Sequence, residues 1–306
     1  KELLGGIVPD NMLEVKIVAR TTEPFVCLSG IPVQPQAGLD DIERADVVVV
    51  CDMYTPVDQS PLGKYTAEVQ WLKRMHARDA LLCSVCSGAT LLGETGLLNG
   101  HEVSSHWAYR NLFQEYFPQI KWAPDTILNL SAVNQRVITS AGVTSWQDLA
   151  IYLVERFCGL SNATNTARVY LLALHEDGQL PYSSMSCSNQ HDDAIVSDCQ
   201  TWIDKNYKCS NPVSEMTNRS GLNPRTFARR FRSATGYQPI EYVQGIRIEA
   251  AKQMLESDAT SVETISSSVG YDDPASFRRV FKRKVGLTPG RYRKKFSHGS
   301  IQSRQD

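Results

Sequence analysis

The 306-residue sequence contains no run of about 18 apolar residues, so nothing in it reads as a membrane-spanning helix. It also shows no charged-then-apolar leader ending in a small-residue cleavage site, and the expected location is the cytosol. Cysteine is too sparse for a disulfide framework: the eight thiols, at 27, 51, 83, 86, 158, 187, 199 and 209, are scattered along a long chain. Most are expected to be reduced, buried and apolar in behaviour. Cys83 and Cys86 have CxxC spacing, but Cys83 falls inside an apolar strand and no second Cys/His pair follows at ligand spacing. Neither a metal nor a cofactor is expected. Net charge is also nearly absent, at -1.

That near-zero balance hides an asymmetry. Residues 211–306 carry 17 Lys and Arg against 9 Asp and Glu, about +8, which leaves about -9 on the rest. The same basic stretch is written twice at an offset of about fifty. Phe227 and Phe277, Phe231 and Phe281, Gly236 and Gly286, Pro239 and Pro289, and Tyr242 and Tyr292 are the pairs. Each copy reads as helix, turn, helix, with Gly221 or Gly270 in the turn. In the second helix of the first copy Phe227, Phe231 and Ala234 form one stripe, and Arg225, Arg229 and Arg232 the opposite one. In the second copy Phe277 and Phe281 point inward, with Ala275, Arg278, Arg279 and Lys282 outward. One arginine face on an isolated helix is usually a solvated surface. Two at matching positions on a basic segment are the footprint of a nucleic-acid binder. Between the copies Pro239–Glu256 has helical periodicity through Ile240, Val243, Ile246, Ala250 and Met254. Its roughly 27 Å at 1.5 Å per residue approaches the roughly 34 Å between successive major-groove faces.

These segments, GLNPRTFARRFRSATGYQP, RIEAAKQMLES and SVETISSSVGYDDPASFRRVFKRKVGLTPGRYR, resemble the AraC/XylS family of bacterial transcription regulators. The resemblance covers about a hundred residues. It implies that Arg225, Ala228 and Arg229, with Arg232, face double-stranded DNA from the first recognition helix. Ala275, Arg278, Arg279, Lys282 and Arg283 do so from the second. Arg225, Arg229, Arg278 and Arg279 are expected to read base edges, while Lys282, Arg283 and Arg293 hold phosphates. Thr217 and Ser266 stand where the family has Ala, and both are small enough for the same helix packing.

The first 180 residues read differently. Val15–Ala19, Phe25–Leu28, Val47–Cys51, Ala80–Val85 and His101–Ser105 are expected strands, and Thr126–Val133 with Arg136–Ser140 an expected hairpin through Asn134-Gln135. Tyr65–Ala77, Thr90–Leu98, Gln147–Cys158 and Thr166–Glu176 are expected helices. Strands alternating with helices imply a mostly parallel, doubly wound sheet. Glu2–Gly6 looks like a helix end with no buried strand before it, from which a short missing N-terminal segment is expected. Residues 181–193, rich in Ser, Asn, Asp and Cys, read as a linker, and 297–306 as a polar tail. The expected architecture is thus an α/β domain over 1–180 followed by an all-α domain over 194–296, with two helix-turn-helix motifs joined by a helix.

The strand Ala80–Val85 runs directly into Cys86-Ser87-Gly88-Ala89 and a helix, the layout of a nucleophile elbow. His106 follows at the end of the next expected strand, where adjacent parallel strands would set it beside Cys86 as a Cys/His pair. Asp148 is placed to orient a histidine or cap its own helix. Ser87, Ser104, Thr144, Ser145 and Trp146 are candidates to line the same crevice at the strand ends. SVCSGATLLGETGLLNG, SSHW and ITSAGVTSWQDLAIYLVERF resemble the ThiJ/PfpI-like class I glutamine amidotransferase superfamily, and more closely its branch fused to an AraC-type domain. The resemblance implies Cys86 at the nucleophile position and His106 at the adjacent histidine position. Two departures weigh against an enzyme: Cys51-Asp52-Met53-Tyr54 replaces the usual Gly-Gly turn of the oxyanion site, and the acidic residue that enzymatic members carry near the first strand and helix is missing. A ligand pocket inherited from an enzyme fold, a structurally retained elbow and a working hydrolase all remain open readings. The resemblance further implies a small-molecule effector, of the amino-acid or quaternary-amine kind, a homodimer, and RNA polymerase as a further partner.

Overall fold

The computed structural model describes residues 13–132, 135–185, 191–257 and 259–297. The chain divides into two compact units, Lys1–Gln179 and Leu180–Asp306.

Four two-residue strands open the first unit. β1 (Val18–Ala19) pairs in parallel with β4 (Ala37–Gly38), and β2 (Phe25–Val26) pairs antiparallel with β3 (Pro32–Val33). Six strands follow: β5 (Val47–Val50), β6 (Leu81–Val85), β7 (Glu102–Val103), β8 (Lys121–Trp122), β9 (Leu128–Ala132) and β10 (Val137–Ser140). The central sheet has the order β5-β6-β10-β9, parallel except for β9 against β10. The helices are α1 (Thr66–Ala77), α2 (Gly88–Glu94), α3 (Arg110–Tyr116), α4 (Trp146–Cys158) and α5 (Leu160–Val169). Because neighbouring side chains on a strand point to opposite faces, β6 serves two cores. Leu82 packs with Val69, Leu72 and Met75 of α1 and Leu92 of α2. Leu81, Cys83 and Val85 pack with Ile138 of β10 and Leu149 of α4. Covering on both faces is why β6 reads as an unbroken apolar run.

Several boundaries differ from those expected. Only Glu102–Val103 of His101–Ser105 is strand, and it pairs with β8, not β6. The place beside β6 goes to β10, all four of whose residues are buried, whereas Glu102 is exposed. α2 begins at Gly88 and ends at Glu94, before Gly96 at φ +79°. α5 begins directly after Gly159 at φ +86° and ends before Leu171, itself at φ +52°, so the helix expected at 166–176 lies about six residues earlier. The hairpin of β9 and β10 forms, but Val133, the expected end of its first strand, and Asn134 of the expected Asn134-Gln135 turn lie outside the described residues, as does the expected helix end Glu2–Gly6.

The second unit is all helix: α6 (Ala194–Asn206), α7 (Pro212–Ser220), α8 (Pro224–Thr235), α9 (Pro239–Ser257), α10 (Val262–Ser268), α11 (Pro274–Val285) and α12 (Pro289–Phe296). Its punctuation repeats. Asn223 and Asp273 cap α8 and α11 through their side chains, each followed by Pro at the first turn, and Gly236 and Gly286 end them in the left-handed region. Two cores result. Phe227 and Phe231 pack with Val196, Ile203, Met216, Tyr242 and Val243. Phe277 and Phe281 pack with Ile248, Ala251, Leu255, Ile265 and Tyr292.

α9 belongs to both cores, so its buried residues do not form the single stripe expected from sequence. Tyr242, Val243, Gly245, Arg247, Ile248, Ala251, Lys252 and Leu255 are buried, whereas Ile240 is exposed. At its waist the Arg247 guanidinium donates to Tyr207 O at 2.7 Å and Cys209 O at 2.8 Å, and lies over the Tyr271 ring. Leu180–Tyr182, a single 3-10 turn, and the residues after it pack on the same unit. The Tyr182 ring meets Phe296, Lys252 Nζ donates to Ser183 O, and a Cβ on Gly245 would lie 2.0 Å from Met185 Sδ.

Among the described residues no helix is long and apolar enough to cross a membrane. Replacing buried Arg247 by Ala leaves two part-buried carbonyls without their donor and should cost the helical unit about 1–3 kcal/mol. Ile240→Ala, at an exposed position, should stay within about 0.5 kcal/mol. Urea titration followed by hydrogen exchange on α9 peptides checks the contrast.

Candidate functional site

Two places concentrate chemistry. The first is the pair of arginine faces on α8 and α11. With Phe227 and Phe231 inward, α8 leaves Arg225, Arg229 and Arg232 exposed and Ala228 half-buried. No ion pair holds those three arginines among the described residues, and Ala228, Arg229, Arg232, Ser233 and Gln238 line an open concavity. The fourth arginine of the helix, Arg230, pairs instead with Asp193, which also caps α6 by accepting from Val196 N at 3.1 Å. This pair, with the hydrogen bond foremost, holds the Asp193 carboxyl below its ordinary range.

On α11, Ala275, Arg278, Arg279, Lys282 and Arg283 are all exposed. Unlike their counterparts on α8, these arginines have neighbours. Arg278 pairs with Glu263 of α10, Arg279 lies 3.8 Å from Asp273, and Arg283 donates to Gln244 Oε1 at 3.0 Å. Arg293, expected among the phosphate contacts, donates to the Thr260 carbonyl and is half-buried, because α12 packs against the end of α9.

The second place is the turn after β6. Cys86 has φ +55°, the strained left-handed conformation of an elbow, and is buried. Gly88 is required there, since a Cβ would lie 2.5 Å from Val50 O and 2.6 Å from Cys51 O. The sequence expectation of an elbow therefore holds in geometry. Its electrostatics point elsewhere. Asp52 Oδ1 takes the Ser87 N–H at 3.3 Å and lies 2.6 Å from Ser87 Oγ, which also accepts from Met53 N at 2.7 Å. The amide following an elbow nucleophile is the usual oxyanion donor, and here a carboxylate occupies it. Burial first, then the hydrogen bond and charge of Asp52, push the Cys86 thiol up to about 12.

His106 is half-buried, and burial lowers its pKa. Its Nδ1 accepts from Ala108 N at 3.2 Å, so the neutral ring carries its proton on Nε2 and offers no base there. Because the folded value is depressed, this contribution to stability is present above the unfolded pKa of about 6.5 and is lost as pH falls through the folded value. His106 does not reach the elbow along a strand neighbouring β6. It is set beside it through Ser105, whose Oγ donates to Cys86 O at 2.7 Å.

The remaining candidates separate. Ser87, Ser104 and Ser145 are fully or almost fully buried within the packing, whereas Thr144 and Trp146 are exposed. Buried Asp148 orients a histidine, but it is His175: Oδ2 pairs with His175 Nδ1 at 2.7 Å and Oδ1 accepts His175 N at 2.9 Å. Thr144 Oγ1 lies 3.3 Å from His175 Nε2. Gln179 then donates to Ser105 O at 3.1 Å, so the segment from His175 to Gln179 closes back over the elbow. Asp52 and His175 were not singled out by spacing, since each meets its partner across 35 and 27 residues. Alkylation by iodoacetamide near neutral pH, followed peptide by peptide, should label Cys27, whose thiol is lowered by Ser29, far sooner than Cys86. Asp52→Asn, by removing a charge that opposes the thiolate, should lower the Cys86 pKa and speed its labelling. Equal rates for Cys27 and Cys86 in the unsubstituted protein would contradict this electrostatic account.

Two family models match the chain. The DJ-1/PfpI family matches residues 7–156, and a helix-turn-helix domain matches residues 216–295. The HTH-type transcriptional regulator CdhR of Pseudomonas aeruginosa is 24% identical over 88% of this chain and 78% of its own length. The regulator GbdR of the same species is 24% identical over 85% of this chain and 69% of its own. GlxA of Rhizobium meliloti is 23% identical over 83% and 76% respectively. Each is named an HTH-type transcriptional regulator, and each alignment runs through both units described above. The chain belongs to the DNA-binding transcription regulators that join a DJ-1/PfpI-type α/β domain to a C-terminal AraC-type helix-turn-helix domain.

Proposed function

We propose that α8 and α11 enter successive major-groove segments on one face of double-stranded DNA, and that the α/β domain, in the cytosol, senses a small molecule or dimerises. The observation that carries the reading is the shared helix α9. It builds two cores of one design and leaves an arginine face outward on each. Arg225 and Arg229 on α8 and Arg278 and Arg279 on α11 would read base edges, with Arg232, Lys282 and Arg283 on phosphates and Ala228 and Ala275 allowing close approach. The sensing domain would comprise 1–180 and the DNA-binding domain 194–296, and RNA polymerase is the natural further partner of an activator built this way.

For the effector, the exposed Asp52 carboxylate acts on both His106 and Tyr109, and suits a cationic small molecule held at the elbow. Cys86, Ser87, His106, Thr144 and Asp148 would then shape or support that crevice. A Cys-dependent hydrolase is the poorer reading, because the thiol is kept protonated, the oxyanion amide is taken by Asp52 and the His106 Nε2 carries a proton.

Selection of random-sequence duplex DNA at two salt concentrations tests the reading. The expected result is a motif of two short boxes about one helical turn apart, bound with a steep salt slope. Arg279→Ala should cost about 1–3 kcal/mol at the selected site and relax one base position. Only sequence-blind, salt-sensitive binding would overturn it.

A further inference from the structure

The two helix-turn-helix copies differ in a correlated way. The position that holds Ala228 in the first copy holds Arg278 in the second. The position on the preceding helix that holds Ser214 holds Glu263. These two changed residues are the ones that meet, Arg278 Nη2 on Glu263 Oε1, on adjoining helices α11 and α10. The helix cap changes in the same sense, from Asn223 to Asp273, and the Asp273 carboxylate lies 3.8 Å from Arg279. Wherever the second copy places a guanidinium at a base-reading position, it also supplies a carboxylate. The first copy has none: Arg225, Arg229 and Arg232 face outward with no ion pair among the described residues.

We propose that Glu263 is a positioning residue that makes Arg278 a specificity reader, so that the first motif contributes the larger share of sequence-blind affinity and the second the larger share of discrimination. This rests on the reading that α8 and α11 contact DNA. An unpaired guanidinium attracts any phosphate and adds to the counterion-release term, which carries no sequence information. A guanidinium with its own carboxylate has lost most of that long-range attraction, yet keeps directional donors. One Nη2 contact leaves further N–H groups for a guanine edge. The carboxylate also repels phosphates at every site, and only a site whose base edge engages Arg278 offsets that cost, which penalises wrong sites more than the right one, and specificity is that difference. Both side chains are about half-exposed, at 50% and 58%, so the pair is a surface one, of modest strength, and open to a competing base edge.

The experiment compares the full chain and Glu263→Gln on the selected operator and on random duplex, each across a salt series. Glu263→Gln should tighten random binding about two- to fivefold, the scale of one exposed ion pair. It should steepen the random-DNA salt slope and lower the operator-to-random ratio. In an Arg278→Ala background the same substitution should move both DNAs by one factor, leaving the ratio unchanged. If Glu263→Gln leaves the ratio unaltered in the unsubstituted protein, or lowers it equally without Arg278, the proposal is wrong. Failure of the unsubstituted chain to select any motif would instead remove the reading on which it rests.

Discussion

The helical unit depends on one helix serving two hydrophobic cores. α9 gives Tyr242 and Val243 to the first core and Ile248, Ala251 and Leu255 to the second. Between them it must pass a region where neither core encloses it fully, and Arg247 occupies that waist. A buried guanidinium is tolerable only when its donors are met, and here two loop carbonyls and the Tyr271 ring meet them. The arrangement fixes both recognition helices to one rigid element. Their aromatic inner faces are anchored, so their arginine outer faces have a defined separation. Reading two DNA segments needs that separation more than it needs strength at either contact.

The elbow shows a different use of constraint. The close approach of Gly88 to the carbonyls of Val50 and Cys51 is a steric requirement, since any Cβ there would clash with backbone. That geometry holds Cys86 at a positive φ, as an enzyme would require. Charge then decides the chemistry. With Asp52 on the Ser87 amide, the site stabilises a carboxylate where a developing oxyanion would need donors, and the same charge opposes the thiolate. A single acidic residue in the turn after β5 thus sets the charge at an elbow whose backbone shape is fixed by Gly88. What the turn presents is an elbow beside a carboxylate.

How much of this was legible depends on the range of the interactions. Phe227 with Phe231, and Phe277 with Phe281, sit one turn apart, so the recognition helices and their exposed faces could be read from spacing alone. The elbow was legible for the same reason, as a strand, a Cys and small residues in immediate succession. The sheet neighbour of β6 was not. Apolar strand runs say that a strand is buried without saying beside which other, and β10 displaced His101–Ser105 through the burial of all four of its residues. The α9 face was misjudged because a helix enclosed by two cores loses the one-sided periodicity on which such readings rest. Asp148 was marked as an orienting residue, yet its partner His175 follows 27 residues later in an irregular segment where no period constrains it.

The junction between the units carries the same lesson into function. Residues 181–193 have the composition of a slack linker, yet the contacts that order their start are ones composition cannot show. The Ser183 carbonyl accepts from buried Lys252, the Met185 amide donates to Glu249 at 3.3 Å, and the Met185 thioether fits only because position 245 has no side chain. On the other side, Gln179 is tied to Ser105, and Ser105 to the carbonyl of Cys86. Three residues separate Gln179 from Ser183. Composition marks such a stretch as polar and irregular, but it does not show which of its backbone groups a helix 64 and 69 residues later will bind.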